Sequence, residues 1–212
     1  MLLAVDWSGD PGMKPRSLPR CIMTIVVCGN EDALSDALAK LRCARSLRKD
    51  FEFHYTKIDD EALRNQFMEA IAGKFSAVVA VYDKEQMKPK WAWGRDTDLL
   101  VQLIVHCVLS LPPQVIHDAR MIIDGDREVR ALRKVLRPTL SKAYQDRGIP
   151  ERVGKIVPGR SEAYDSIQVA DMVGGAVSEA VRRQMKEGRF LKAAGHNVTV
   201  LRITPDMEKP TE

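Results

Sequence analysis

The sequence predicts a single α/β domain, because short apolar runs of strand type alternate with longer stretches of helical period. Leu2–Trp7, Cys21–Cys28 and Ala119–Asp124 are rich in apolar and β-branched residues, as buried strands are. We expect Cys21–Cys28 to be antiparallel to Leu2–Trp7, and Ala119–Asp124 to be a neighbour of Leu2–Trp7. The 212 residues suffice for one sizeable core, and no linker divides them. We therefore expect one domain over residues 1–212, in which 189–212 supply an edge strand and a frayed tail.

The remaining elements follow from periodicity and from helix-end signals. Further strands are expected at Ser76–Tyr82, Val153–Val157 and, at an edge, Asn197–Ile203. Phe51–Tyr55 alternates apolar and polar residues, which indicates a half-exposed strand or an extended edge. Helices are expected at Glu31–Lys49, from Asp59 or Asp60 to Ala72, at Asp98–Leu111 and Arg127–Gln145, and from Asp165 onward, where Gln168 gives a capping-box spacing.

Composition and charge indicate an ordinary soluble protein. Charged residues make up 29% of the chain and the formal net charge is +4, which permits an anionic partner without requiring one. Four cysteines in neither a CxxC pair nor a Cys/His cluster favour a reducing compartment without a zinc site. Cys21, Cys28 and Cys107 lie in apolar runs and are expected in the core. The chain shows no apolar window of about 20 residues and no signal peptide, so we predict a cytoplasmic protein without a membrane span.

Two basic segments each allow two interpretations. Arg42, Arg45 and Lys49 form a stripe on one helix, either a solvated face or a phosphate-binding surface. The segment from Lys84 to Arg95 contains two tryptophans and several lysines. Its aromatic residues would either pack as local core or stack on a base.

One helical run, from Ser166 to Val177, carries a carboxylate in an apolar setting. Asp171 shares its side of the helix with Gly174, Gly175 and Ser178, which stand three, four and seven residues later. Each mid-helix glycine costs about 1 kcal/mol relative to alanine, so a close approach at this side is a plausible compensation. Asp171 either points to solvent beside a tight packing contact or faces a backbone, metal or ligand.

Two strand-like runs end in an aspartate followed by a turn of small residues. Asp6 precedes Ser8-Gly9, and Asp124 precedes Gly125. If these strands are neighbours, the two carboxylates lie within one side chain of each other and repel, unless a divalent cation binds between them. Asp171, arriving from a helix, would complete an all-oxygen site suited to Mg²⁺ or Mn²⁺.

Other common site patterns are missing from the sequence. No early strand leads into GxGxxG, which disfavours a dinucleotide-dependent dehydrogenase. Neither a P-loop nor the GxSxG elbow of serine hydrolases occurs.

Five segments resemble, in order, the bacterial domain of unknown function 3800 family, whose fold is like that of ribonuclease H. They are VDWSGD at 5–10, EFHYTKI at 52–58, VVAVYDK at 78–84, MIIDGD at 121–126 and SIQVADMVGGAV at 166–177. The resemblance implies a mixed central sheet flanked by helices. It also implies that Asp6, Asp124 and Asp171 form an acidic, metal-binding cluster, with Glu52 and His54 as further polar residues beside it.

The activity implied by the resemblance is that of a divalent-metal-dependent phosphodiesterase or nuclease acting on nucleic acid. In ribonuclease H-like enzymes two ions about 3.5–4 Å apart activate water and stabilise the leaving oxygen. The chain departs from the family at Trp7, where the family commonly has glutamate, and Asp10 or Glu52 is the candidate replacement. The alternative function is a catalytically silent module of the same fold that binds nucleic acid or protein.

Overall fold

A six-stranded mixed sheet forms the centre of the protein. The computed structural model describes residues 1–11, 19–86, 96–125, 127–150, 152–184, 189–193, 195 and 197–204. The strand order across the sheet is β5-β4-β1-β2-β3-β6. The strands are β1 Leu2–Ser8, β2 Arg20–Cys28, β3 Ser76–Asp83, β4 Arg120–Asp124, β5 Lys155–Gly159 and β6 Val198–Ile203.

The order confirms the expected contact between the first strand and the strand ending at Asp124. β1 pairs with β4 in parallel and with β2 in antiparallel fashion, as the sequence analysis expected for β2. β5 extends the sheet in parallel beyond β4, and β6 is the edge strand beside β3. The carboxyl ends of β1 and β4 therefore meet at one edge, with Asp6 and Asp124 beside each other.

Helices cover both faces of the sheet. The helices are α1 Glu31–Ala44, α2 Glu61–Ile71, α3 Asp96–Leu109, α4 Pro113–Ile116, α5 Arg127–Asp146, α6 Asp165–Arg182 and α7 Arg189–Ala193. Side chains of α1, α2 and α6 share a core with Leu2, Ala4 and Ile122 of the sheet. Side chains of α3 and α5 share the other core with Leu3, Val5 and Met121. Because residues alternate along a strand, these two sets lie on opposite faces.

Two local predictions were wrong, and both concern residues around the site. Phe51–Tyr55, expected as a half-exposed strand or an extended edge, joins no strand of the sheet, because Phe53 and Tyr55 are buried in the α1–α2–α6 core and hold the segment between helices. Asp165 is the first residue of α6 rather than its N-cap, and Tyr164 precedes the helix without a side-chain capping bond. Asp165 instead forms an ion pair with Arg42, 2.7 Å between Oδ1 and a guanidinium nitrogen.

Several smaller predictions are confirmed. Asp60 caps α2 by accepting from the backbone N–H groups of Ala62 and Leu63. Cys21, Cys28 and Cys107 are buried in the core. Among the helices in the described ranges, none is long and apolar enough to cross a membrane. Trp91, Trp93 and the tail beyond residue 204 lie outside the described residues.

Candidate active site

The three aspartates come from three elements that meet on the α6 face of the sheet. Asp6 lies near the end of β1 and alternates with Trp7, which packs against the opposite core. Asp124 is the last residue of β4 and points to the same face as Ile122. Asp171 lies in the second turn of α6, which crosses β1 and β2.

Gly174 brings α6 close to the sheet at this point. Asp6 is opposite Thr24 in the β1–β2 register, and a Cβ placed on Gly174 would lie 2.6 Å from the Thr24 hydroxyl oxygen. Only glycine leaves room for this contact. Since Asp171 is one helical turn before Gly174, the contact sets its carboxylate beside Asp6. The close approach expected at this glycine is therefore made by the sheet.

The acid groups influence one another electrostatically. Burial raises the pKa of Asp6 well above its usual value, and the negative charges of Asp171 and Asp124 raise it further. Burial also raises the pKa of Asp124. The Gly125 backbone N–H and His54 lower it, whereas the charges of Asp171 and Glu52 raise it. The carboxylates thus form one repulsive cluster.

Asp171 is held in place by the segment between α1 and α2. The backbone N–H of Tyr55 donates to Asp171 Oδ2 at 2.9 Å, and Nδ1 of His54 lies 3.3 Å from the same oxygen. The Asp171 side chain is 23% exposed. It therefore neither points freely into solvent nor is sealed away, and it faces a partner inside the protein.

Glu52 and His54 form a pair that leads from the protein surface to Asp171. Glu52 Oε2 is 2.7 Å from His54 Nε2 and accepts a hydrogen bond of 3.0 Å from the Ser161 hydroxyl. The pKa of Glu52 is lowered, chiefly by the hydrogen bond to His54 and also by the one from Ser161. Both ring nitrogens of His54 face carboxylate oxygens, so the imidazole is fixed in orientation between Glu52 and Asp171.

Gln168 ties this segment to α6, a role that the sequence analysis did not foresee. Its amide oxygen accepts from the Phe53 N–H at 3.0 Å and from Arg42 at 3.1 Å, and its amide nitrogen donates to the Ser161 carbonyl at 2.8 Å. The side chain is buried, and all three partners come from other segments. A glutamine among apolar helix residues, one turn before Asp171, was the available signal.

Arg42 also belongs to this support and not to a solvated basic face. Only 8% of it is exposed, and its guanidinium also donates to the Phe51 carbonyl at 2.8 Å. Arg45, the next residue of the same stripe, forms an ion pair with Asp60. Two cations of this stripe are therefore engaged within the fold and hold α1 against its neighbours.

Gly175 admits the Tyr55 ring. A Cβ on Gly175 would lie 2.1 Å from Tyr55 Cγ, so the ring occupies the space that a side chain would need. The Tyr55 hydroxyl donates to Glu179, and the Arg64 guanidinium lies 4.2 Å from the ring centre. Burial, and then the bonded and charged Glu179, raise the pKa of Tyr55. This packing fixes the backbone N–H that binds Asp171.

A cavity of about 400 Å³ opens beside Asp171. Gly175 and Ser178 share its α6 wall with Asp171, as the helical spacing predicted. The opposite wall comes from the ends of β1 and β2 and includes Ser8 and Ile22. A ligand in this cavity would therefore reach Asp171 directly.

The donor chemistry of the cluster fits a hard divalent cation. Carboxylate oxygens that repel one another are the ligands that Mg²⁺ and Mn²⁺ prefer. Within the described part of the chain, however, no three His, Cys, Asp or Glu side chains converge so that they could hold a metal ion between them. Glu52 approaches the cluster, whereas Asp10 lies beside Cys21 and Lys84.

Comparison with known proteins identifies a fold and no family. Neither a protein-family model nor a curated protein matches the sequence. A solved structure, the PCNA:RNase HII complex from Archaeoglobus fulgidus, contains a similar chain at a TM-score of 0.53 and 14% identity, over 93% of this chain and 80% of that one. The likeness to ribonuclease HII shows that this mixed α/β architecture is of ribonuclease H type.

Proposed function

We propose that the protein is a divalent-metal-dependent phosphodiesterase that cleaves nucleic acid, with membership of the domain of unknown function 3800 family as part of the proposal. The observation that carries it is that Asp6, Asp124 and Asp171, from two strands and a helix, lie on one face of the sheet and interact electrostatically. Burial chiefly raises the pKa of Asp6 and of Asp124, and the charge of Asp171 raises both further. Mutual repulsion costs stability unless a cation offsets it. The ribonuclease H-type fold supports the same activity by analogy.

The proposed roles follow from the contacts. Asp6, Asp124 and Asp171 would hold Mg²⁺ or Mn²⁺, which when bound supplies a nucleophilic water and stabilises the leaving oxygen. His54, oriented by Glu52, is placed to accept or donate a proton. The Tyr55 N–H orients the Asp171 carboxylate. Among the described residues the three carboxylates do not converge closely enough to hold an ion between them, so they would have to move closer together to do so.

The alternative is a catalytically silent module that binds nucleic acid or protein. Two observations favour it: Asp171 Oδ2 already has protein partners in Tyr55 and His54, and Trp7 occupies the position next to Asp6 where the resembled family has a carboxylate. In this case the acids serve to hold α6 against the segment from 52 to 55. The two functions differ in their requirement for a cation.

The test is cleavage of single- and double-stranded DNA and RNA with Mg²⁺ or Mn²⁺ by the wild type and by Asp171→Asn. The asparagine can still accept from the Tyr55 N–H, so the fold should be kept while a charged ligand is lost. We expect cleavage to fall at least about 100-fold. Equal cleavage by both proteins would point to a contaminating nuclease. No cleavage by either, with nucleic acid still bound, would establish the silent module.

A further inference from the structure

Helix α5 holds a concentration of positive charge. Its twenty residues contain six lysines and arginines and two acidic residues, a net charge of +4. The formal net charge of the whole chain is also +4, so the rest of the chain is balanced. A polyanion that approaches the protein is therefore attracted more strongly to α5 than to the rest of the protein surface on average.

The cations of α5 lie on one face. Arg130, Arg133, Lys134 and Arg137 have the i, i+3, i+4, i+7 spacing of one helix side, while the apolar side of α5 is buried in the α3–α5 core. Arg130, Lys134 and Arg137 are exposed, and Arg133 is half-buried. At 1.5 Å per residue the four cover about 10 Å along the helix.

Most of these charges have no counterion in the part of the chain that the structure describes. Among the described residues, Arg130, Arg133 and Lys134 make no hydrogen bond or ion pair. Arg137 donates to the carbonyl of Gly154 at 3.0 Å, which fixes the end of the row. The four side chains surround a concavity of about 420 Å³, which we name the α5 basic concavity. On α1, by contrast, the corresponding arginines are paired with aspartates.

We propose that the α5 basic concavity binds the phosphate backbone of a nucleic acid. A strand of duplex carries one phosphate per about 3.4 Å of axis, so a 10 Å row of four cations matches about three successive phosphates. Such contacts position a polymer without reading its sequence. An acidic protein surface offers carboxylates at no fixed spacing, so a row of cations whose length matches about three phosphates favours the polymer.

The α5 basic concavity would hold the substrate of the acidic cluster, an inference that rests on the proposed function. The acidic cluster repels phosphates, so a nuclease with this site needs a cationic surface nearby to retain its substrate. α5 begins at Arg127, three residues after Asp124. Because α5 covers the sheet face opposite to the acidic cluster, a nucleic acid held along α5 would pass around the carboxyl end of β4 to reach the carboxylates.

The experiment compares two double variants that remove the same charge. Arg130→Gln with Lys134→Gln removes two exposed cations from the concavity. Lys40→Gln with Lys74→Gln removes two exposed lysines from the α1–α2 groove, which Asp36 and Glu69 also line. Affinity for a labelled 20-base-pair DNA duplex is measured in EDTA, between 50 and 200 mM salt, so that cleavage does not interfere.

We expect the α5 variant to lose at least about tenfold in affinity at 100 mM salt and to reduce the slope of log K against log salt by about two. The α1–α2 variant should keep the wild-type slope. Equal slopes in both variants would overturn the proposal. A concavity that binds a polyglutamate peptide more tightly than the duplex would also overturn it, in favour of an acidic protein partner.

Failure of this inference can be told apart from failure of the proposed function. If the slope changes as expected but neither wild type nor Asp171→Asn cleaves any substrate, the concavity binds nucleic acid and the nuclease proposal fails. If the wild type cleaves and Asp171→Asn does not, while both double variants bind alike, the nuclease stands and the concavity is excluded.

Discussion

The two faces of the sheet are stabilised in different ways. On the α3–α5 face, the helix α3 buries eight apolar side chains, including Leu103, Ile104 and Val105, and packing follows side-chain volume. On the α6 face, α6 approaches through two glycines, and its buried polar groups Ser166 and Gln168 are hydrogen-bonded to other segments. A face that is organised by polar contacts can present aimed carboxylates to a site, whereas the side chains that the α3–α5 face buries against the sheet serve stability.

The largest expected effect is on stability, and it comes from replacing one glutamine on each face by leucine. Gln168→Leu leaves the Phe53 N–H and the Ser161 carbonyl without partners, so the free energy of unfolding should fall by about 3 kcal/mol, and any cleavage should fall with it. Gln102→Leu on α3 removes an amide oxygen that has no partner among the described residues, so stability should stay equal or rise. Urea unfolding of both variants measures the difference, and equal losses would contradict it.

Adding a methyl group to a glycine of α6 tests whether the packing of this helix requires a residue without a side chain. In Gly175→Ala the new Cβ meets the Tyr55 ring at 2.1 Å. Overpacking costs about 3 kcal/mol, and alanine regains about 1 kcal/mol of helix propensity, so we expect a net loss of about 2 kcal/mol. Gly29→Ala is the control, because its Cβ would make only ordinary contact with Met1. The same unfolding assay applies, and a Gly175→Ala protein as stable as the control would show that the ring moves freely.

The titratable groups on the two faces should also change the stability of the protein in different ways as the pH changes. Burial lowers the pKa of His106 on α3 to about 4. Between about pH 6.5 and pH 4 the unfolded chain takes up a proton that the native protein refuses, so this histidine makes stability fall as the pH falls. His106→Gln should flatten that slope. A slope unchanged in His106→Gln would show that His106 protonates freely in the native state.

The titration of Asp6 changes the stability of the protein in the opposite direction. Its pKa is raised in the folded protein, so between about pH 4 and that raised value the native state holds a proton that the unfolded chain has lost. Its contribution therefore destabilises the protein as the pH rises through this window. Asp6→Asn should remove this loss and stabilise the metal-free protein at pH 7 in a thermal melt. A destabilised Asp6→Asn protein would contradict the repulsion between the carboxylates.

The sequence allowed the strands and the aspartates at their ends to be predicted because both depend on local patterns. Apolar runs ending at Asp6 and Asp124 indicated buried strands, and the helical period placed Asp171 with Gly175 and Ser178. The resemblance to a family with a ribonuclease H-like fold supplied the mixed sheet. All of these signals are short in range.

The support of the site could not be predicted because its contacts join distant segments. Gln168 reaches Phe53 across 115 positions, and Arg42 reaches Asp165 across 123. Alternation in the segment from 51 to 55 indicated a half-exposed strand or an extended edge, yet the buried aromatic rings of that segment pack between helices. Similarly, Asp165 suited a cap by residue type, but its pairing with Arg42 depends on the tertiary structure.

The central claim is that Asp6, Asp124 and Asp171 act as one cation site, and a thermal melt with Mn²⁺ tests it most directly. An ion at about one hundred times its Kd should stabilise the native state by about 2.7 kcal/mol, which raises Tm by about 5–10 °C for a chain of this size. Asp124→Asn should lose most of that increase. If millimolar Mn²⁺ leaves the Tm of both proteins unchanged, or raises both equally, the three aspartates do not form a cation site.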